Sequence, residues 1–196
     1  MANFELSVFI FRRDLRLIDN TGLLRALRES IKVMPVFIFT PKQVSDKNKH
    51  KSSNAIQFMV ESLTNLDTDI GEHTNGATLV CGYDDEVAFL TKLCKKYPIQ
   101  AIYVNEDYTP YSILRDRRIE KFCKGKKIAF SQYTDILLVD DVEIRANNGN
   151  PYSIFTMYYN KAIQQKIRRP DRKLVGEFFN EKMPAKYQLS TINYTI

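Results

Sequence analysis

Five short apolar runs mark the first 131 residues, and the segments between them repeat their apolar residues at a different period. The runs are Ser7–Phe11, Val33–Phe39, Thr78–Cys81, Ala101–Val104 and Lys127–Ser131. The first reads Ser-Val-Phe-Ile-Phe, which suits a strand covered on both faces. Between the second and third runs, Ile56, Met59 or Val60, Leu63, Leu66 and Ile70 share one helical face. Val87, Leu90, Leu93 or Cys94 and Tyr97 do the same before the fourth run, and Leu114, Ile119, Phe122 and Cys123 follow it more weakly. Strand and helix patterns in alternation dictate a parallel sheet with crossover helices. The expected fold over residues 1–133 is α/β: a five-stranded, doubly wound, Rossmann-like parallel sheet with helices on both faces. Asp84 or Asp85 and Ser53 are placed to cap helices, and Pro110 to open one.

Residues 134–196 change character. A short apolar piece, Ile136 to Val139, gives way to acidic and Asn-rich turn chemistry. One helix is expected over about 153–168, ended by Arg169-Pro170, within an otherwise irregular connecting segment. No run approaches the ~18 apolar residues of a membrane span, so no membrane partner is expected. Three widely spaced cysteines, Cys81, Cys94 and Cys123, form neither a zinc nor a disulfide pattern and fit a reducing compartment. The net charge of +6 tolerates a polyanionic partner without requiring one. Its clusters, Lys47, Lys49, His50 and Lys51, and Lys161 to Lys173, read as solvated faces.

The first run leads directly into Arg12-Arg13-Asp14-Leu15-Arg16, with Asp19 close behind. Loops beyond the carboxyl ends of parallel strands form the ligand crevice of such sheets. Five charges there serve either an internal ion-pair lattice or an anionic, planar ligand, and residue types leave both open. Phe37 and Phe39, on one face of the second strand, can wall a ring or simply pack in the core. No Gly-rich phosphate loop, Walker motif or nucleophile elbow is present. With two histidines, His50 and His73, no hydrolytic or metal-assisted catalytic set is visible, and neither catalytic residues nor a metal site are assigned.

The run Phe11-Arg12-Arg13-Asp14-Leu15-Arg16, then Asp19-Asn20, resembles the F-R-R-D-L-R-x-x-D-N signature of the DNA photolyase/cryptochrome family. Four further segments resemble that family in the same order. They are Pro35 to Pro41; the helix with Phe58, Glu61, Ser62 and Leu63; Asn105 to Tyr111 with Arg115-Asp116; and Gly149 to Thr156. The resemblance covers the family's N-terminal antenna domain only. It implies light harvesting for an FAD-dependent, light-driven deoxyribodipyrimidine photo-lyase, or a cryptochrome-type blue-light receptor. A stand-alone nucleotide- or partner-binding module is the third reading.

The family's FAD and its catalysis belong to a helical domain that is expected to begin about where these residues stop. That domain would be the partner, in the same parent protein or as a separate chain, and damaged DNA would be engaged through it. Phe155, Tyr158 and Tyr159 would then form an apolar docking patch. The resemblance further implies an antenna pigment held by Arg13, Phe37, Phe39 and Asp107, and an intracellular setting, cytoplasmic or nuclear. Deazaflavin-type members place an arginine at the position of Ala55, and folate-type members an Asn-Glu pair at Tyr111-Ser112. Neither is present: folate becomes the less expected pigment, flavin or deazaflavin binding loses one polar contact, and a deazaflavin or FMN is expected over a folate. Arg115 and Asp116 are expected to pair with charges of the first loop.

Overall fold

The computed structural model describes residues 2–46, 48–74, 76–139 and 144–192. Lys47 and the acidic stretch at 140–143 lie outside the described residues. Strand β1 (Phe4–Phe11) runs through the middle of a parallel sheet, between β2 (Ser30–Phe39) and β4 (Ala101–Asn105). β3 (Val80–Tyr83) flanks β2, and β5 (Ala129–Tyr133) flanks β4, giving the order β3-β2-β1-β4-β5. All five expected strands are present, shifted by at most a few residues, and the doubly wound fold is as the sequence implied.

Alternation along the buried strands sorts side chains into two layers. Phe9, Phe11, Phe37, Phe39 and Tyr103 face α1 (Thr21–Glu29) and α3 (Ser53–His73), whose Leu23, Leu27, Leu63 and Leu66 cover them. Val8, Ile10, Met34, Val36, Ile102 and Val104 face α4 (Glu86–Lys96) and α5 (Pro110–Lys126), which contribute Leu90, Leu93 and Ile119. The side chains that the central strands give to the first layer are largely aromatic, and those they give to the second are aliphatic. The chain winds outward from β1 through α1 and α3, then returns across the sheet through α4 to β4. The direction therefore reverses between β1 and β4, where an α/β sheet opens its crevice. A single helical turn, α2 (Pro41–Val44), leaves β2 at that end.

The helix ends follow ordinary capping chemistry. The Asp85 carboxylate accepts the Val87 N–H at 3.1 Å, and Thr109 caps the helix that Pro110 opens. The α3 cap is Ser52, whose hydroxyl accepts from Ala55 N–H at 3.4 Å, one residue earlier than expected. Lys127 ends α5 in the left-handed region at φ 57°.

The C-terminal third departs from the sequence expectation. The helix expected over 153–168 is α6, Phe155–Ala162, and none of its residues is buried. Without an apolar face against the core, little holds further turns of so short a helix. Residues beyond it are not merely connecting. Glu177–Phe178 form a sixth strand, β6, parallel to β2 at Lys32 and Val33. Phe178, Leu189 and Ile192 join the aromatic layer, while Phe179, Met183 and Tyr187 join the aliphatic one. Two residues carry no period, so this strand was not legible, and the folded body continues well past residue 133.

Gly176 makes that return possible. Its φ is +121°, and a Cβ there would lie 2.5 Å from the Leu27 carbonyl oxygen. Gly125, in α5, has open space around it. Gly176→Ala should lower stability by about 2 kcal/mol or more, through backbone strain and the clash. Gly125→Ala should raise it by about 0.5–1 kcal/mol. Urea unfolding followed by circular dichroism reads both.

Candidate functional site

The loop after β1 is fixed by a buried polar network. Asp14 accepts the Arg12 N–H at 2.8 Å and the Asn105 side-chain N–H at 2.5 Å. The Asn105 amide also donates to Asn20 at 2.8 Å, and its oxygen accepts the Gly22 N–H at 2.9 Å. Asn20 in turn caps α1 through Leu23 N–H. The end of β1, the start of α1 and the end of β4 are thereby one unit. Gly22 is required there, since a Cβ would stand 2.5 Å from the Asn105 amide oxygen. Burial pushes the Asp14 carboxyl above its usual range, against the hydrogen bonds it accepts.

Arg12 turns the other way and makes a fork with Asp116, Nη2 to Oδ1 at 2.6 Å and Nη1 to Oδ2 at 3.0 Å. It also donates to the Asn105 carbonyl at 2.9 Å. Burial and the neighbouring Arg115 lower the Arg12 pKa, partly offset by Asp116. Arg115 Nε reaches Asp116 Oδ1 at 2.9 Å, and Gln132 of β5 donates to Oδ2 at 3.2 Å. Arg16 pairs with Asp135 at 2.7 Å, and Asp135 also accepts the Thr21 N–H at 2.8 Å. The expected pairing of Arg115-Asp116 with the first loop is therefore present, through Arg12.

Beside this lattice lies a cavity of about 550 Å³, bounded by the loops leaving β1, β2 and β4. Its apolar lining includes Ile10, Phe37, Ile38, Ile56 and Met59. Arg13 and Asp107 both line it and face each other at 3.4 Å, with the Arg13 side chain 71% exposed. Asp107 also accepts the Thr109 N–H at 3.3 Å and the Ser112 hydroxyl at 3.1 Å. Burial opposes its charge, but these donors together with Arg13 outweigh it and hold the carboxyl below the usual range. Of the four residues assigned from the sequence, Arg13, Phe37 and Asp107 line the cavity together. Phe39 does not: it is 1% exposed in the aromatic layer, edge-on to Phe37 with ring centroids 4.9 Å apart.

Glu86, Tyr111 and Arg115 are among the lining residues not assigned as ligands from the sequence. Glu86, the first residue of α4, accepts the Tyr111 hydroxyl at 3.1 Å. Tyr111 and Arg115 lie one turn apart on α5, with the Arg115 Cζ 5.9 Å from the Tyr111 ring centre. Arg115 Nη2 is the one buried side-chain polar atom without a hydrogen-bond partner among the described residues. The signals for Tyr111 and Arg115 in the sequence were the i, i+4 spacing of an aromatic and an arginine and the motif of Asn105 to Tyr111 with Arg115-Asp116. Ala55, Tyr111 and Ser112, where the sequence departs from deazaflavin-type and folate-type patterns, all line the same cavity.

Other chemistry finds little support nearby. Burial, with Cys94 beside it, pushes the Cys123 thiol up to about 12, and burial likewise raises Cys81. Neither is ionised near neutral pH. Among the described residues no cluster of His, Cys, Asp and Glu is arranged to hold a metal ion, and no helix is long and apolar enough to cross a membrane.

The sequence model for DNA photolyase matches residues 7–175, which contain the sheet, the charged loop and the cavity. The chain belongs to the DNA photolyase family. It is 30% identical over 161 residues to a deoxyribodipyrimidine photo-lyase of Buchnera aphidicola, covering 79% of this chain and 32% of that one. It is 29% identical over 163 residues to cryptochrome-1 of Drosophila melanogaster, covering 81% of this chain and 30% of that one. Among solved structures, an archaeal photolyase from Sulfolobus tokodaii superposes with a TM-score of 0.78 at 40% identity, over 89% of this chain and 38% of that one. That photolyase was solved with two FAD molecules and described as implying a novel light-harvesting cofactor. The chain thus spans about a third of the length of its curated photolyase and cryptochrome relatives.

The depressed Asp107 carboxyl has a measurable consequence. A carboxylate held below its unfolded value adds stability that is complete above about pH 5 and lost as pH falls through the folded pKa. Wild type should exceed Asp107→Asn in stability at pH 6, and the gap should narrow at pH 3. Urea midpoints of both proteins at the two pH values check the sign.

Proposed function

We propose that this chain is the antenna part of a photolyase-type protein, and that its cavity holds a flavin-class pigment. The carrying observation is the cavity itself. It sits beyond the strand ends where the chain reverses, has apolar walls, and has polar groups at one side. About 300–1,000 Å³ is the usual range for a small-molecule pocket, so a tricyclic ring fits the volume found. Phe37, Ile38 and Ile56 would face the ring, and the Arg13–Asp107 pair would meet its polar edge. The missing Asn-Glu pair at Tyr111-Ser112 disfavours a folate, and the missing arginine at Ala55 leaves FMN, FAD or a deazaflavin with one polar contact fewer. The two FAD molecules of the archaeal relative support the same class. Such a pigment, when bound, supplies absorption of blue or near-ultraviolet light and passes the excitation to an acceptor. This chain's residues bind it, orient it and shield it from water.

The acceptor would be FAD in a helical domain, in the same parent protein or a separate chain, which would also engage damaged DNA. The parent activity is then light-driven splitting of pyrimidine dimers, a deoxyribodipyrimidine photo-lyase. The exposed apolar residues of and near α6, among them Ile154, Phe155, Met157 and Tyr159, support docking of such a domain. A cryptochrome-type receptor is the second reading, favoured by the 29% identity to the Drosophila protein.

Titration of the purified protein with FMN, FAD, a deazaflavin and a methenyl-folate tests the proposal. Saturable quenching of flavin or deazaflavin fluorescence at one ring per chain is expected, with none for the folate. Ala55→Trp, which fills the cavity mouth from the first turn of α3, should abolish uptake without changing the melting temperature. Failure of every flavin and deazaflavin to bind would overturn the assignment.

A further inference from the structure

One side chain among the described residues that line the cavity is readily oxidised by a single electron. The chain has no tryptophan, and Tyr111 is the sole tyrosine of that lining. Phe37 and the aliphatic residues beside it hold no electron so easily lost. Tyr111 is 37% exposed, so it faces open space rather than the packed core. A ring that fills the cavity lies close to it, and electron transfer needs proximity rather than contact with one chosen atom.

A phenol gives up an electron at much lower cost when its proton leaves at the same time. Tyr111 has the acceptor in place. Its hydroxyl donates to Glu86 Oε1 at 3.1 Å, within the ~2.6–3.2 Å reach of a proton transfer. Glu86 is itself buried, with Arg118 Nη1 3.9 Å from its other oxygen. Burial, together with the Glu86 charge and partly offset by Thr40, raises the Tyr111 pKa, so the phenol keeps its proton at rest. The Arg115 guanidinium, its Cζ 5.9 Å from the ring centre, disfavours a positively charged ring. Loss of the electron alone is therefore opposed. Loss of electron and proton together leaves the residue neutral and is not.

We propose that Tyr111 and Glu86 form a redox pair that discharges the excited pigment. This rests on the reading that the cavity takes a flavin-class ring, a class that carries one-electron chemistry. On excitation, Tyr111 gives one electron to the ring and its hydroxyl proton to Glu86 Oε1. The tyrosine O–H bond breaks and a carboxyl O–H bond forms. The ring is reduced by one electron, and Tyr111 is oxidised to a neutral radical. Return of the electron and the proton restores the starting state, with no net reaction. The pair thus competes with transfer of the excitation to an acceptor. Where no acceptor is docked, it sets how long the pigment stays excited.

Time-resolved fluorescence of FMN, or of a deazaflavin if that alone is taken up, tests the pair with the protein in excess so that all the pigment is bound. The lifetime should lengthen severalfold in Tyr111→Phe. It should also lengthen in Glu86→Gln, which still accepts the phenol hydrogen bond but is a poor base. In wild type the lifetime should be longer in heavy water than in ordinary water, and a flash should give a short-lived tyrosyl radical absorption. Both signals should vanish in Tyr111→Phe, and a purely structural role would produce neither. Thermal unfolding confirms that each variant is folded. A wild-type lifetime in folded, saturated Tyr111→Phe would overturn the inference alone and leave the pigment reading intact. A wild-type lifetime in Glu86→Gln would overturn Glu86 as the proton acceptor, and with it the pair. If wild type takes up neither pigment, the pigment reading fails and this inference with it.

Discussion

The carboxylate of Asp116, nearly buried, holds the carboxyl end of the sheet together. It takes a fork from Arg12 at the end of β1, the Nε of Arg115 on its own helix, and the amide of Gln132 on β5. Burying an ion pair costs desolvation that the Coulomb attraction repays only with good geometry and filled lone pairs. Both conditions are met here. The second network, Asp14 with Asn20 and Asn105, ties β1 to α1 and β4 through amides. Together they set where the chain reverses, and so where the cavity opens.

The two faces of the sheet are built differently, and the difference matters at the cavity. The aromatic layer gives large rigid rings packed edge to edge, as Phe9 with Phe11 and Phe37 with Phe39. Phe37 is the ring of this layer that reaches the cavity lining beside Phe11, while Phe39 remains core. The wall a ligand meets is therefore the end of a packed layer, which leaves it little freedom to rearrange.

Most of the architecture was legible because it is periodic. Five apolar runs and three helical faces fix a doubly wound sheet, and Asp85 and Pro110 mark helix starts by local chemistry alone. The charged loop was legible only as a choice between lattice and ligand. The structure divides it: Arg12, Asp14 and Arg16 enter the lattice, and Arg13 lies on the cavity. Adjacent residues that point to different partners look alike in sequence, and the partner of Arg12 is 104 positions away. The unpartnered Nη2 of Arg115 was hidden for a related reason. Its motif pairs it with Asp116, and only the filled lone pairs of that carboxylate show that one donor is left over. β6 escaped because two residues on a strand edge have no period to detect.

The path of the chain around α6 constrains it from both sides. Before the helix, Ile144 is buried; after it, Asp171 bonds Asp19 and Arg28, and β6 follows on the edge of β2. The exposed helix is thus part of a loop closed at both ends on the folded sheet domain, rather than a tail. Closing a loop removes chain freedom during folding, before any partner arrives. A domain that docks on these apolar side chains would meet a surface already confined in position, and would lose less entropy in ordering it than on a free segment.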